Sequence, residues 1–218
     1  MIVVSDMMGT LTTGSPVLGL VDWVRHNQSR MQARLYMLSI TPKYLLAKRG
    51  MIDWQKWGQD LMINSLGMIK NATPEKMSLV GEWAVEHDLW KNRREDVISR
   101  LRDHKSHGAD VYIASSVIEP LIEPFAARIG AETIGTPVEY KNGRVQISGE
   151  LTASEKKIEQ VLRRLQVDRV DFAYGDTLLD IPLLEHAVHP VAVYPEEKLK
   201  ALALERGWKV IGDKSSYG

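Results

Sequence analysis

Short apolar runs alternate with longer amphipathic ones along most of this chain. Ile2-Val3-Val4, Val111-Tyr112-Ile113-Ala114, Phe172-Ala173-Tyr174 and Val191-Ala192-Val193 carry no charge. Runs this brief, lacking an alternating polar face, predict strands buried on both faces of a parallel sheet. The stretches between them have a helical period. Over 93–107, Val97, Ile98 and Leu101 share one face and Gly108 ends the run; 118–129 reads as a second helix stopped by Gly130. Thr152-Ala153-Ser154-Glu155 has the form of a capping box opening a helix to Leu165, with Ile158, Val161, Leu162 and Leu165 inward. Helices over 181–187 and 196–206 and a strand near Val210 complete the alternation, and Asn142-Gly143 predicts a hairpin spanning 134–148. The order argues for an α/β fold with a doubly wound parallel sheet.

One region breaks the pattern. After the turn cluster Thr13-Gly14-Ser15-Pro16, strand-like runs vanish from 17 to 89, and tryptophan and methionine become frequent. Thr41-Pro42 and Thr73-Pro74-Glu75 read as helix starts, a capping hydroxyl followed by proline. Trp54, Trp57, Leu61 and Met62 recur at helical spacing, as do Val80, Trp83 and Ala84. The region is expected to be a helical insertion whose aromatics form its own core.

Composition narrows the function classes. Lys plus Arg equals Asp plus Glu at 28 each, so the overall balance gives no electrostatic reason to expect nucleic acid or an anionic membrane as partner. The absence of cysteine excludes disulfides, thiolate metal sites and a cysteine nucleophile. No run is long enough to span a bilayer and the chain opens on a strand, which gives the expectation of a cytoplasmic protein. His104 and His107, three apart, are expected on a solvated helix face, and Arg93-Arg94 at a solvated helix start, with a role at the hinge of the cap as the alternative.

The chemistry sits at strand ends. Asp6 follows the first strand, with Gly9 permitting a sharp turn and Thr10 a nearby hydroxyl; Ser115 and Ser116 end the second strand, and Gly175-Asp176 the third. Parallel strands bring those ends to one edge, and clustered carboxylates without sulfur favour a hard cation such as magnesium. Asp180, four residues past Asp176, is expected near the same face of the following helix. Lys157 borders the buried face of its helix while Lys156 pairs with Gln160 outside, so Lys157 is the leading candidate for a phosphate-facing ammonium and Lys156 the alternative.

Taken in order, Asp6-Met7-Met8-Gly9-Thr10-Leu11-Thr12, Ile113-Ala114-Ser115-Ser116, Lys156-Lys157 and Gly175-Asp176-Thr177-Leu178-Leu179-Asp180 resemble the four motifs of the haloacid dehalogenase superfamily. The closer similarity is to its subfamily IB, the phosphoserine-phosphatase-like hydrolases. The resemblance implies a Rossmann-like core from residues 1–16 and 90–218 and a helical cap from 17–89. It implies a phosphatase acting on a small phosphorylated substrate, Asp6 being the nucleophile that becomes an aspartyl-phosphate. Thr10, Ser115, Ser116 and Lys157 would hold the phosphate. Magnesium would lie on Asp6, Asp176, Asp180 and the backbone carbonyl of Met8.

Met8 departs from the family, whose phosphatases usually place a second aspartate there as general acid and base. Loss of that group is worth about 10²–10⁴-fold in rate, so slow turnover is expected. The alternative from a different class is a regulatory protein that binds a phospho-ligand without turning it over.

Overall fold

A computed structural model describes residues 1–213, with the side chains of 54–56 outside that description; the expectation for the Trp54 side chain therefore falls outside the described residues. The central sheet has six parallel strands: β1 (Ile2–Ser5), β2 (Asp110–Ile118), β3 (Glu132–Thr136), and, beyond a hairpin of β4 (Val138–Lys141) and β5 (Arg144–Ile147), β6 (Val170–Gly175), β7 (Ala187–Val193) and β8 (Lys209–Ile211). Their spatial order is β3-β2-β1-β6-β7-β8, so β1 lies between the strands that carry Ser115 and Asp176. The Rossmann-like α/β expectation holds.

Successive residues of a strand point to opposite faces, and here both faces are covered. Val3, Val111 and Ile113 pack with α5 (Glu95–Ser106) and α6 (Glu119–Ala127). Val4, Ala114 and Ala173 pack on the other side with α7 (Ser154–Leu165), α8 (Ile181–Glu185) and α9 (Glu197–Glu205). That two-sided burial is why the strands read as uninterrupted apolar runs.

Between β1 and β2 stand α1 (Pro16–Asn27), α2 (Arg30–Lys48), α3 (Trp54–Leu66), α4 (Pro74–Ala84) and a π-helical turn over Val85–Leu89. Leu20, Val24, Met62, Leu66, Met77 and Val80 form their shared apolar cluster, which Ile118 of β2 and Leu121 of α6 join. Thr73 caps α4 as expected, accepting a hydrogen bond from the Lys76 N–H.

Four local expectations are corrected. Thr41-Pro42 does not begin a helix. Ser29 already caps α2 through the Gln32 N–H, the Thr41 hydroxyl donates to the Met37 carbonyl (2.7 Å), and Pro42 lies inside the helix. Thr152 does not cap α7, because its hydroxyl is drawn to the Gly135 carbonyl instead (2.8 Å); the reciprocal capping box forms at Thr177 and Asp180. The hairpin is shorter than 134–148: β4 (Val138–Lys141) and β5 (Arg144–Ile147) form it, while Ile134 belongs to β3 and Pro137 interrupts the ladder. Lastly, β2 runs on to Ile118 through an irregularity after Ala114, and α6 begins at Glu119.

Candidate active site

The ends of β1 and β6 are locked together by the Asp6 N–H donating to the Tyr174 carbonyl (2.9 Å). Beyond them each chain turns sharply. Gly9 adopts a left-handed conformation (φ 84°), and a Cβ there would overlap the Asp176 carboxylate; at Gly175 a Cβ would meet Asp180. Gly9 lets the two loops close on each other, and Gly175 lets the second fold back on itself. Within this pinch, Asp6, Asp176 and Asp180 are buried, and each offers a carboxylate oxygen within 4.8 Å of the others.

Lys157, buried near the start of α7, donates to Asp6 Oδ1 and Asp180 Oδ1 at 2.7 Å each. The other oxygen of Asp180 turns back to the chain, accepting from the Asp176 N–H and the Thr177 N–H (3.2 Å each). Asp180 is thus not on a helix face beside Asp176: it ends a 3₁₀ turn (Leu178–Asp180) and ties Lys157 to the Asp176 backbone. The buried hydroxyl of Thr10 donates to Asp176 Oδ1 (3.1 Å). Glu196 braces the same loop from outside, its N–H donating to the Asp176 carbonyl and its carboxylate accepting from the Leu178 N–H.

Burial pushes the Asp6 carboxyl up to about 6, against the pull of Lys157 and with Asp180 adding to the rise. Burial alone would pull the Lys157 ammonium down, but Asp180 and Asp6 outweigh it and hold it above the ordinary lysine value. Three carboxylates and one ammonium leave this group of four with a surplus of two negative charges. The donor set is all hard oxygen, which fits a divalent cation of the magnesium kind. The turn offers a further oxygen: Met7's carbonyl accepts from Leu11 and Thr12 and Gly9's from Arg94, whereas no donor engages Met8's carbonyl among the described residues.

The sequence candidates do not all converge. Asp6, Thr10, Lys157, Asp176 and Asp180 come together. Lys156 lies outside, paired with Glu159 and Glu150. Ser115 is buried one strand away and its Oγ accepts from the Val117 N–H (3.3 Å) of its own strand; Ser116 is half-buried and its carbonyl accepts from Thr136. The Met8 side chain, half-buried, packs against both the sheet cluster and the cluster of α1–α4.

Two expectations fail here. Arg94 is buried: its Nε donates to the Gly9 carbonyl (2.8 Å), its N–H to the Leu11 carbonyl, and its guanidinium lies 3.8 Å from the centre of the Tyr194 ring. It clamps the turn after Asp6, a role that an Arg-Arg pair at a helix start does not advertise. His104 is half-buried rather than solvated. Its ring lies 4.4 Å from that of Phe172 at a tilt of 49° and meets the Tyr174 hydroxyl at 2.8 Å, while His107 stays exposed.

Comparison with known proteins gives the family and the fold. Residues 3–185 match the haloacid dehalogenase-like hydrolases. Over 124 residues the chain is 27% identical to the "Inhibition of morphological differentiation protein" of Streptomyces azureus, a match covering 54% of this chain and 45% of that relative, so under half of its length is represented. Among solved structures, a Bordetella pertussis protein of unknown function superposes with a TM-score of 0.77 at 22% identity, covering 97% of both chains. A substrate-bound phosphoserine phosphatase complex gives 0.62 at 15% identity, covering 96% of this chain and 91% of that one. Both likenesses concern the fold. With its matched stretch spanning well over half of its length, this chain belongs to the haloacid dehalogenase-like hydrolase family.

Proposed function

We propose that this chain is a magnesium-dependent phosphatase of small phosphomonoesters, acting through an aspartyl-phosphate on Asp6 and slowed by Met8. The observation that carries the reading is the buried Lys157 ammonium, held between Asp6 and Asp180 beside Asp176. Asp6, Asp176 and the Met8 carbonyl would hold the cation, with Asp180 fixing Lys157 and the Asp176 loop. When bound, the cation supplies charge neutralisation for the phosphoryl oxygens.

Asp6 attacks phosphorus in line; a bond from its carboxylate oxygen to phosphorus forms as the ester P–O bond breaks, and the alcohol leaves with its electron pair. Lys157 balances the anionic charge, and the Ser115 hydroxyl offers a donor to the equatorial oxygens, while the Thr10 hydroxyl borders the phosphate with its proton directed to Asp176. The departing alkoxide and the water that later cleaves the acyl phosphate both need a proton partner, which a thioether cannot be. Proton exchange with solvent must serve instead, and the burial of Asp6 makes that slow.

Purified protein assayed with magnesium and a panel of phosphomonoesters, phosphoserine included, is expected to release phosphate slowly. Met8→Asp is expected to raise turnover by roughly 10²–10⁴-fold, and Asp6→Asn to abolish it. A rate indifferent to Asp6→Asn overturns the reading. Met8 favours one rival, a phospho-ligand binder; micromolar ligand binding with no turnover in either the native chain or Met8→Asp selects it.

A further inference from the structure

Helix α2 inverts the usual arrangement. Of its 19 residues only Ala33 and Ala47 are buried, with Tyr36 and Met37 partly packed on the neighbouring cluster. At 3.6 residues per turn the opposite side of the helix is the line Met31, Leu35, Leu38, Pro42, Leu45, in steps of four and three. That line is apolar and faces outward: Met31 is 64% exposed, Leu35 58% and Leu38 61%. Arg30, Arg34 and Lys48 run along one margin of the stripe, Lys43 lies further round toward the packed side, and Arg49 follows at the end of the stripe; all five are exposed. No aspartate or glutamate occurs between Asp22 and Asp53, although the chain as a whole balances 28 cations against 28 anions. Among the described residues the ion pairs involve none of these five.

We propose that α2 is a docking face for an anionic lipid bilayer, lying in the plane of the interface with its leucine stripe at the boundary of headgroups and acyl chains. A basic margin beside an outward apolar stripe is the composition that such a surface selects. Apolar burial and attraction to acidic headgroups add, and long Lys and Arg stems let their charges stay in the headgroup layer while the leucines go deeper. The overall neutrality of the chain, which argues against a membrane partner, averages this block away. A second copy of the chain is the poorer occupant, since apposing two α2 helices would bring the five cations of each together with no acid on either. The inference is independent of the phosphatase chemistry.

The test is co-sedimentation of the full chain with vesicles. Binding is expected to vesicles of phosphatidylcholine with 30 mol% phosphatidylglycerol, to be absent with phosphatidylcholine alone, and to weaken as salt rises. Neutralising one cation at a time, as in Arg34→Gln, is expected to cost roughly fivefold in affinity. Leu35→Gln with Leu38→Gln, both at solvent-facing positions, is expected to abolish binding while leaving the circular dichroism spectrum unchanged. No binding to the anionic vesicles overturns the proposal. So does a dimer in light scattering that the two leucine substitutions convert to monomer, because the stripe would then be a contact between copies.

Discussion

At the end of β1 four charged side chains lie buried and answer one another: Lys157 is shared by Asp6 and Asp180, and Thr10 holds Asp176. Along α2 the situation is reversed, with leucines in water and cations without acids. Each region goes against the ordinary sorting of polar outside and apolar inside. A buried charge persists only if neighbours compensate it, so the site is over-determined by its surroundings. An exposed apolar stripe costs the fold little and needs no compensation, so its reason must lie outside the monomer.

The sharpest way to break that contrast is to remove the shared cation. Lys157→Met leaves Asp6 and Asp180 buried with no positive partner, and is expected to lower stability by about 3–5 kcal/mol. On the proposed function magnesium is expected to return part of this, because the native carboxylate cluster would hold it and the unfolded chain would not. Urea unfolding with and without millimolar magnesium measures both effects. A loss under about 1 kcal/mol would mean that the carboxylates are in effect solvated and that the comparison has no basis.

How far each region could be read from the sequence follows from the range of the forces that build it. The strands were legible because two-sided burial writes itself as unbroken runs such as Ile2-Val3-Val4. Asp6, Asp176 and Lys157 were legible as neighbours because parallel strand ends share an edge and a helical period puts Lys157, and not Lys156, toward the core. Arg94 was not: its carbonyl partner on Gly9 is 85 positions away and leaves no local trace. Thr152 was misread for the same reason, a cap-like pattern overridden by the distant Gly135 carbonyl. Pro42 shows the limit of local rules in the other direction, since Ser29 and the packed face carry α2 straight through it. The basic apolar stripe was in plain view, but whole-chain charge hid it.

A smaller effect is expected at His104, which lies between the two extremes as a half-buried group with a neutral partner. Burial lowers its pKa, with His107 and Lys209 acting in the same direction and Asp103 against them. Burial also pushes the Tyr174 hydroxyl up to about 12, so Tyr174 keeps its proton and can donate it to a neutral imidazole. A histidine whose native pKa is depressed contributes stability that is present above the unfolded value and lost as pH falls through the native one. The native chain is therefore expected to lose more stability than His104→Gln between pH 7 and pH 5, seen as a wider drop in melting temperature. Parallel profiles for the two proteins would show that the ring titrates as if free.

The smallest expected effect carries the most information about α2. Replacing a buried leucine such as Leu101 by alanine removes about 2–5 kcal/mol, because a cavity is left where packing was complete. Leu35→Ala makes the same chemical change on the outward side of α2, where the side chain meets water, and is expected to move stability by no more than about 0.5 kcal/mol in detergent-free buffer. The near-zero result is what the comparison requires: a residue that the fold does not use, kept apolar among cations. Equilibrium denaturation of the two variants side by side decides it. A loss at Leu35 approaching that at Leu101 would place the stripe in a packed interface already present in solution, and α2 would then follow the same rule as the sheet.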